Sequence, residues 1–137
     1  MVPTELQLTP DTTATGGRVT LRCEPPSTGV RSLLSLVIWR VLHRNPNAAR
    51  VEVVSAASDL NDGNPTRGSS VTGTVDGSIN QNFISLIMNQ AMCMDGGMYT
   101  CEASYFKVSG GNAVYNAEAS RNLTVEGTGI DNCSGHS

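Results

Sequence analysis

Hydrophobic and polar residues alternate along several short stretches of the chain. In the stretch Arg18–Cys23, the side chains of Val19, Leu21 and Cys23 would point to one side and the polar ones to the other. The same alternation returns in residues 97–108. A repeat of two residues is typical of a β-strand with one buried face, and no 3.6-residue repeat lasts long enough to predict a long helix. The pattern therefore predicts an all-β protein.

Turn sequences separate these stretches. Ser109–Asn112 is rich in glycine, and Asp76-Gly77 stands between two further apolar segments, which predicts a hairpin at each place. The spacing of the turns predicts about nine short strands, as in a two-sheet sandwich. We expect this domain to span residues 1–127, with the polar, glycine-rich residues 128–137 forming a linker toward a further domain.

The composition limits the cellular compartments and the classes of partner that are compatible with the chain. The net charge is -3 and no basic run occurs, which argues against nucleic acid or an anionic membrane surface. The four cysteines form no C-x-x-C motif, and His43 lies far from His136, so we expect disulfides and no metal or other cofactor. No apolar run reaches the ~18 residues of a membrane span. These features predict a secreted or extracellular domain whose leader peptide is not part of this sequence.

Motifs with fixed spacing identify a family resemblance. Asp95–Cys101 matches the pattern D-x-G-x-Y-x-C, and Gly17–Cys23 matches G-x-V-x-L-x-C. Trp39 stands sixteen residues after Cys23. With these motifs most of the chain resembles the immunoglobulin superfamily; its length resembles variable-type domains, and its last strand resembles intermediate-set domains. The resemblance implies an all-β, two-sheet Greek-key sandwich.

Two disulfides are expected. The resemblance implies a bridge between the sheets from Cys23 to Cys101, with Trp39 packed against it. Cys93 falls in a turn at the end of the sandwich where the last strand also ends, and the chain beyond that strand is long enough to bring Cys133 back to it. We predict a Cys93–Cys133 bridge that holds the tail. An interchain link, or a bond within a following domain, is the alternative.

The resemblance assigns further structural roles around the second motif. Gly97 and Tyr99 belong to the signature of the sixth strand, and the Tyr99 hydroxyl would form the tyrosine corner. Asp95 would pair with Arg67, which stands at the start of the fourth strand as in many variable-type domains. These residues are expected to build the fold rather than to bind a ligand.

The inward position of Trp39 would set the orientation of its strand. By alternation Leu36 and Ile38 would then face outward, and Phe106 would do so on a neighbouring strand. These three residues form a candidate interface for a protein partner or a second copy of the chain. The alternative is that the segment 44–57 folds over them.

Two acceptor sequences for N-glycosylation are present. Asn122–Thr124 and Asn132–Ser134 both fit the sequon, whereas a proline bars the one at Asn64. The side chain of Asn122 would point outward because that of the next residue, Leu123, points inward. A glycan at Asn122 is therefore sterically feasible.

The sequence contains no catalytic constellation. Serine, histidine and aspartate are present, but no local signature places them together, so we expect a non-enzymatic domain. The start of the chain, the third strand and the cysteine-bearing tail resemble the first immunoglobulin domain of mollusc fibrinogen-related proteins. That resemblance implies a secreted, lectin-like module of innate immunity that binds pathogen glycans or glycoproteins. A cell-adhesion or receptor ectodomain and a structural spacer domain are the alternatives.

Overall fold

Ten β-strands make up most of the structure, a computed structural model that describes residues 4–42, 47, 49–69 and 71–127. The strands are β1 (Glu5–Thr9), β2 (Thr12–Ala14), β3 (Val19–Glu24), β4 (Val30–Leu42), β5 (Val51–Ala57), β6 (Thr66–Arg67), β7 (Thr74–Ser78), β8 (Phe83–Met88), β9 (Gly97–Lys107) and β10 (Val114–Glu126). In the part of the chain that the structure describes, three short 3-10 turns lie between strands, at Asn61–Gly63, Ile79–Gln81 and Cys93–Asp95. No α-helix occurs in the described residues.

The strands form two sheets that pack face to face. The back sheet has the order β1-β3-β8-β7, and the front sheet has the order β2-β10-β9-β4-β5-β6. Neighbouring strands are antiparallel except β10 and β2, which are parallel. The chain changes sheets between β1 and β2, where Pro10 interrupts the extended stretch. The predicted all-β, two-sheet sandwich is confirmed.

The core lies between the sheets and consists of alternate residues from each long strand. Among its fully buried members are Val19, Leu21, Leu36, Ile38, Ile84, Leu86, Tyr99 and Leu123. The Cys23–Cys101 disulfide crosses this core and joins β3 to β9, with an S–S distance of 2.09 Å and a sequence separation of 78 residues. Closing a loop of that length stabilises the fold by roughly 4.5 kcal/mol in the chain-entropy estimate.

Strand β4 faces the core with the opposite set of residues from the predicted one. Leu36 and Ile38 are fully buried and Arg40 is only 7% exposed, whereas Trp39 is partly exposed. Ile38 lies opposite Cys101 on β9, so Ile38 takes the place beside the disulfide that Trp39 was predicted to fill. The prediction was wrong because both alternating sets of β4 are apolar, and a charged residue, Arg40, belongs to the buried set.

The hairpin between β7 and β8 also differs from the predicted one. Asp76 and Gly77 lie within β7, and the chain reverses at Ile79–Gln81, which begins two residues after Gly77. The Ser78 hydroxyl accepts a hydrogen bond from the backbone N–H of Gln81, and Asn82 then adopts a left-handed conformation. This side-chain cap moves the turn away from the Asp-Gly pair.

Candidate binding face

Buried polar contacts stabilise one end of the sandwich, the end that holds the turn Cys93–Asp95. We call it the lower end. The Tyr99 hydroxyl donates to the backbone oxygen of Asp95 at 2.6 Å, which is the tyrosine corner that the resemblance implied. Burial raises the pKa of Tyr99 to about 12, although the neighbouring Arg40 guanidinium lowers it. The Asp95 carboxylate accepts from the backbone N–H of Met92 at 2.8 Å. These contacts fix the start of β9.

The ion pair predicted between Asp95 and Arg67 was wrong. Nη1 of Arg40 lies 3.6 Å from Oδ1 of Asp95. Arg67 is exposed on the two-residue edge strand β6 and donates to the backbone oxygen of Gly73. Because β4 adjoins β9 in the front sheet, the buried Arg40 side chain reaches Asp95, which lies just before β9.

The outer face of β10, β9, β4 and β5, here called the front face, carries a cluster of four polar and aromatic side chains near its centre. Nε1 of Trp39 donates to Oε1 of Glu102 at 3.0 Å. The Arg50 guanidinium lies over the Trp39 ring at 4.5 Å from its centroid and within 3.8 Å of Glu102. Its Nη1 also donates to Glu118 at 3.0 Å. We call Trp39, Arg50, Glu102 and Glu118 the central cluster.

Above the central cluster, toward the β9–β10 turn, the front face becomes more apolar. The Ser104 hydroxyl donates to the side-chain oxygen of Asn116 at 2.6 Å. Beyond this pair, half-buried Phe106 lies opposite Val114, which is 54% exposed. The Arg31 guanidinium lies 5.2 Å from the centre of the Phe106 ring. Cation–π contacts of this kind attract a charged side chain to the face of an aromatic ring.

The predicted interface is therefore only partly on this face. Phe106 lies on the front face, as predicted from its alternation. Leu36 and Ile38 lie in the core, so their prediction as interface residues was wrong for the same reason as that of Trp39. The outward side of β4 is instead formed by the other alternating set, which includes Val37, Trp39 and Val41.

Below the central cluster the front face ends in a polar pair and a glycosylation sequon. The hydroxyls of Thr100 and Ser120 are hydrogen-bonded at 2.8 Å. The next pair along the same two strands is Met98, which is 41% exposed, and Asn122, which is also exposed. The second predicted sequon, at Asn132, lies outside the described residues.

The predicted Cys93–Cys133 bridge involves Cys133, which lies outside the described residues. The surrounding strands do bring the expected ends together. The backbone N–H of Thr15 donates to the oxygen of Glu126, and that of Gly16 donates to the oxygen of Ala91. The adjacent residues Thr15 and Gly16 thus hydrogen-bond both the end of β10 and the segment that precedes Cys93. The bridge itself stays a prediction.

A groove of about 330 Å³ lies beside the central cluster, over β4, β5 and the loop that follows β5. The residues with polar side chains in its lining are Ser35, Glu52, Ser55, Asn61, Asn64 and Thr66. Val37 and Leu60 supply apolar surface to the same groove. Hydroxyl, amide and carboxylate groups around an apolar patch can hydrogen-bond and pack against a small polar ligand.

Three members of the central cluster were not found from the sequence. Alternation alone places Glu102 and Glu118 on outward-facing sets, but a solvated strand carries such residues at many positions. Their meeting depends on the register of β9 with β10, in which the two residues lie directly opposite each other. Arg50 directly precedes β5. It joins the two glutamates because β5 pairs with β4, which is the neighbour of β9 on the side away from β10.

The topology of the front sheet carries the decisive family feature. Beyond β10, β9 and β4 it contains the two additional strands β5 and β6, which distinguish variable-type from constant-type sandwiches. The family model of the immunoglobulin V-set domain matches residues 9–126. The chain belongs to the immunoglobulin V-set family. No curated protein matches this V-set domain closely enough to be compared with it. Within its described residues, no helix is both long and apolar enough to cross a membrane.

Proposed function

We propose that this V-set domain is a non-enzymatic, extracellular recognition module that binds a protein partner with its front face. The observation that carries the proposal is the central cluster, in which Trp39 and Arg50 are held in place by two carboxylates. Tryptophan and arginine are the residue types that dominate binding energy at protein interfaces. A side chain that is already held by hydrogen bonds loses less conformational entropy when a partner binds.

The extracellular setting is supported by the disulfide and by the family. Cys23–Cys101 is a bridge between sheets of a kind that persists in oxidising compartments. V-set domains commonly mediate protein binding, which fits a recognition or adhesion ectodomain. From the resemblance to mollusc fibrinogen-related proteins, we propose a secreted immune protein as the parent and pathogen glycoproteins as the partners. A cell-adhesion or receptor ectodomain would use the same face.

Glycan binding is a second candidate function, and the groove beside the central cluster favours it. Its serine, asparagine and threonine side chains offer hydrogen bonds to sugar hydroxyls, and Leu60 offers apolar surface to a sugar ring. The Arg50 guanidinium occupies one face of the Trp39 ring, so a sugar could stack on that face only by displacing it. A sugar would therefore bind in the groove and a protein on the central cluster.

A multimerised form of the chain, presented to arrays of extracellular proteins and of glycans, tests the two candidates. The proposal expects protein ligands whose binding is lost in the variant Trp39→Ala. Glycan ligands whose binding is lost when Ser55→Trp fills the groove would support the second candidate instead. A chain that binds nothing on either array would favour a structural spacer domain and contradict both.

A further inference from the structure

Asn122 occupies an unusual place for an acceptor of modification, because it lies within strand β10 on the front face. Its neighbour Leu123 is fully buried, whereas Asn122 and Thr124 are both exposed. Both ends of the sequon Asn122–Thr124 therefore point away from the core. An oligosaccharide attached to Asn122 can extend into solvent while β10 keeps its pairing with β9.

The residue opposite Asn122 is an exposed methionine. Met98 pairs directly with Asn122 across β9 and β10, and directly opposed residues have Cβ atoms about 4.5–5.5 Å apart. Met98 is 41% exposed although it is apolar. The first sugar on Asn122 would therefore stand over Met98.

The same ladder gives the position of Asn122 relative to the central cluster. Glu118 lies four residues earlier on β10, which corresponds to about 13 Å at the rise of a β-strand. The pair Thr100 and Ser120 fills the space between them. The first sugars of a glycan at Asn122 would thus border the cluster from below.

We infer that Asn122 is N-glycosylated, and that its glycan covers Met98 and the lower end of the front face. Its first sugars leave the central cluster and the apolar region around Phe106 open to a partner. The attachment itself does not depend on the proposed binding function, whereas its effect as a boundary of the binding face does. The measurements below use no partner, so their failure is separate from a failure of the proposed function.

Site mapping tests the attachment. The chain is secreted from a eukaryotic host behind a heterologous leader, and peptide-N-glycosidase F is applied in ¹⁸O-water, which converts a glycosylated asparagine to labelled aspartate. The inference expects the label at residue 122 in the wild-type chain and in Asn132→Gln, which removes the other sequon. An unlabelled, unmodified Asn122 in the secreted, folded protein would overturn it.

Methionine oxidation tests the position of the glycan. Dilute peroxide is applied to the glycosylated chain and to two variants that lack the sequon, Asn122→Gln and Thr124→Ala. We expect Met98 to oxidise at least twofold more slowly in the glycosylated chain, with the rate for Met94 as the internal reference. Met94 suits this purpose because it is 56% exposed and lies in the turn Cys93–Asp95, outside the strands of the front face. Equal Met98 rates in all three proteins would overturn the inferred position.

Discussion

The Arg40 guanidinium lies 3.6 Å from the Asp95 carboxylate, and both side chains are almost completely removed from solvent. The pair joins the buried side of β4 to the turn before β9, next to the tyrosine corner. A buried charge that loses its partner keeps its desolvation cost without the compensating attraction. The two residues are therefore expected to act as one unit in the stability of the lower end.

Removing either charge of this pair should destabilise the fold strongly. We expect Arg40→Met to lower the free energy of unfolding by about 3–5 kcal/mol, measured by urea denaturation. Arg67→Met, the matched control on the exposed strand β6, should cost less than about 1 kcal/mol. A double-mutant cycle should show coupling of Arg40 to Asp95 and almost none of Arg67 to Asp95. The reverse pattern would restore the ion pair expected from the sequence.

The buried Tyr99 predicts a loss of stability at alkaline pH. Its pKa is about 12 in the folded chain against 10.0 for an ordinary tyrosine, so the folded state holds the phenol proton more tightly. The resulting stabilisation is complete below pH 10 and is lost as the pH rises toward 12. From pH 8 to pH 11 this group should lower the free energy of unfolding by about 1 kcal/mol.

Tyr99→Phe provides the test of that pH dependence. The variant should be less stable than the wild type at pH 8, because it lacks the hydrogen bond to the Asp95 backbone. Between pH 8 and pH 11, however, it should lose less stability than the wild type does. Identical losses in the two proteins would show that Tyr99 does not titrate as its burial requires.

The single tryptophan reports on the central cluster. Because the Arg50 guanidinium covers the Trp39 ring, Arg50→Ala should shift the fluorescence emission to longer wavelength and increase quenching by acrylamide. The unfolding free energy should change by less than about 1 kcal/mol, since the ion pairs of Arg50 are partly exposed. Arg22→Ala, which removes a similar contact with Phe83 on the back sheet, should leave the emission unchanged.

The predicted second disulfide can be tested directly. Non-reducing peptide mapping of the oxidised chain should recover the peptide of Cys93 linked to that of Cys133. The hydrogen bonds of Thr15 and Gly16, which bring the end of β10 beside the segment before Cys93, support this pairing. A peptide of Cys93 linked to a second chain, or found as a free thiol, would contradict it.

The sequence predicted the orientation of those strands in which only one alternating set is apolar. Leu21 on β3 and Cys101 on β9 face the core as their patterns indicated. In β4 both sets are apolar, so alternation could not choose between Ile38 and Trp39, and the family motif suggested the wrong one. The inward orientation of Arg40, and with it that of Ile38, depends on the ion pair with Asp95. Asp95 lies more than fifty residues away in the sequence.

The central cluster could not be predicted for a related reason. It requires the registers of β9 with both β10 and β4, and in addition the β-bulge between β4 and β5 after Ile38. A register shift of one residue would turn Glu102 or Glu118 toward the other face. Spacing motifs identify the family of the fold, whereas the chemistry of its face depends on these non-local pairings.

The central claim, that the front face binds the partner, is tested most directly by affinity measurements on two matched double variants. Trp39→Ala/Glu102→Ala removes half of the central cluster, and Arg22→Ala/Phe83→Ala removes a cation–π pair of similar size from the back sheet. With a ligand from the arrays, both folded variants are compared with the wild type by surface plasmon resonance. We predict at least a tenfold loss of affinity for the first variant and less than a twofold change for the second. Unchanged affinity in the first, with a loss in the second, would contradict the account.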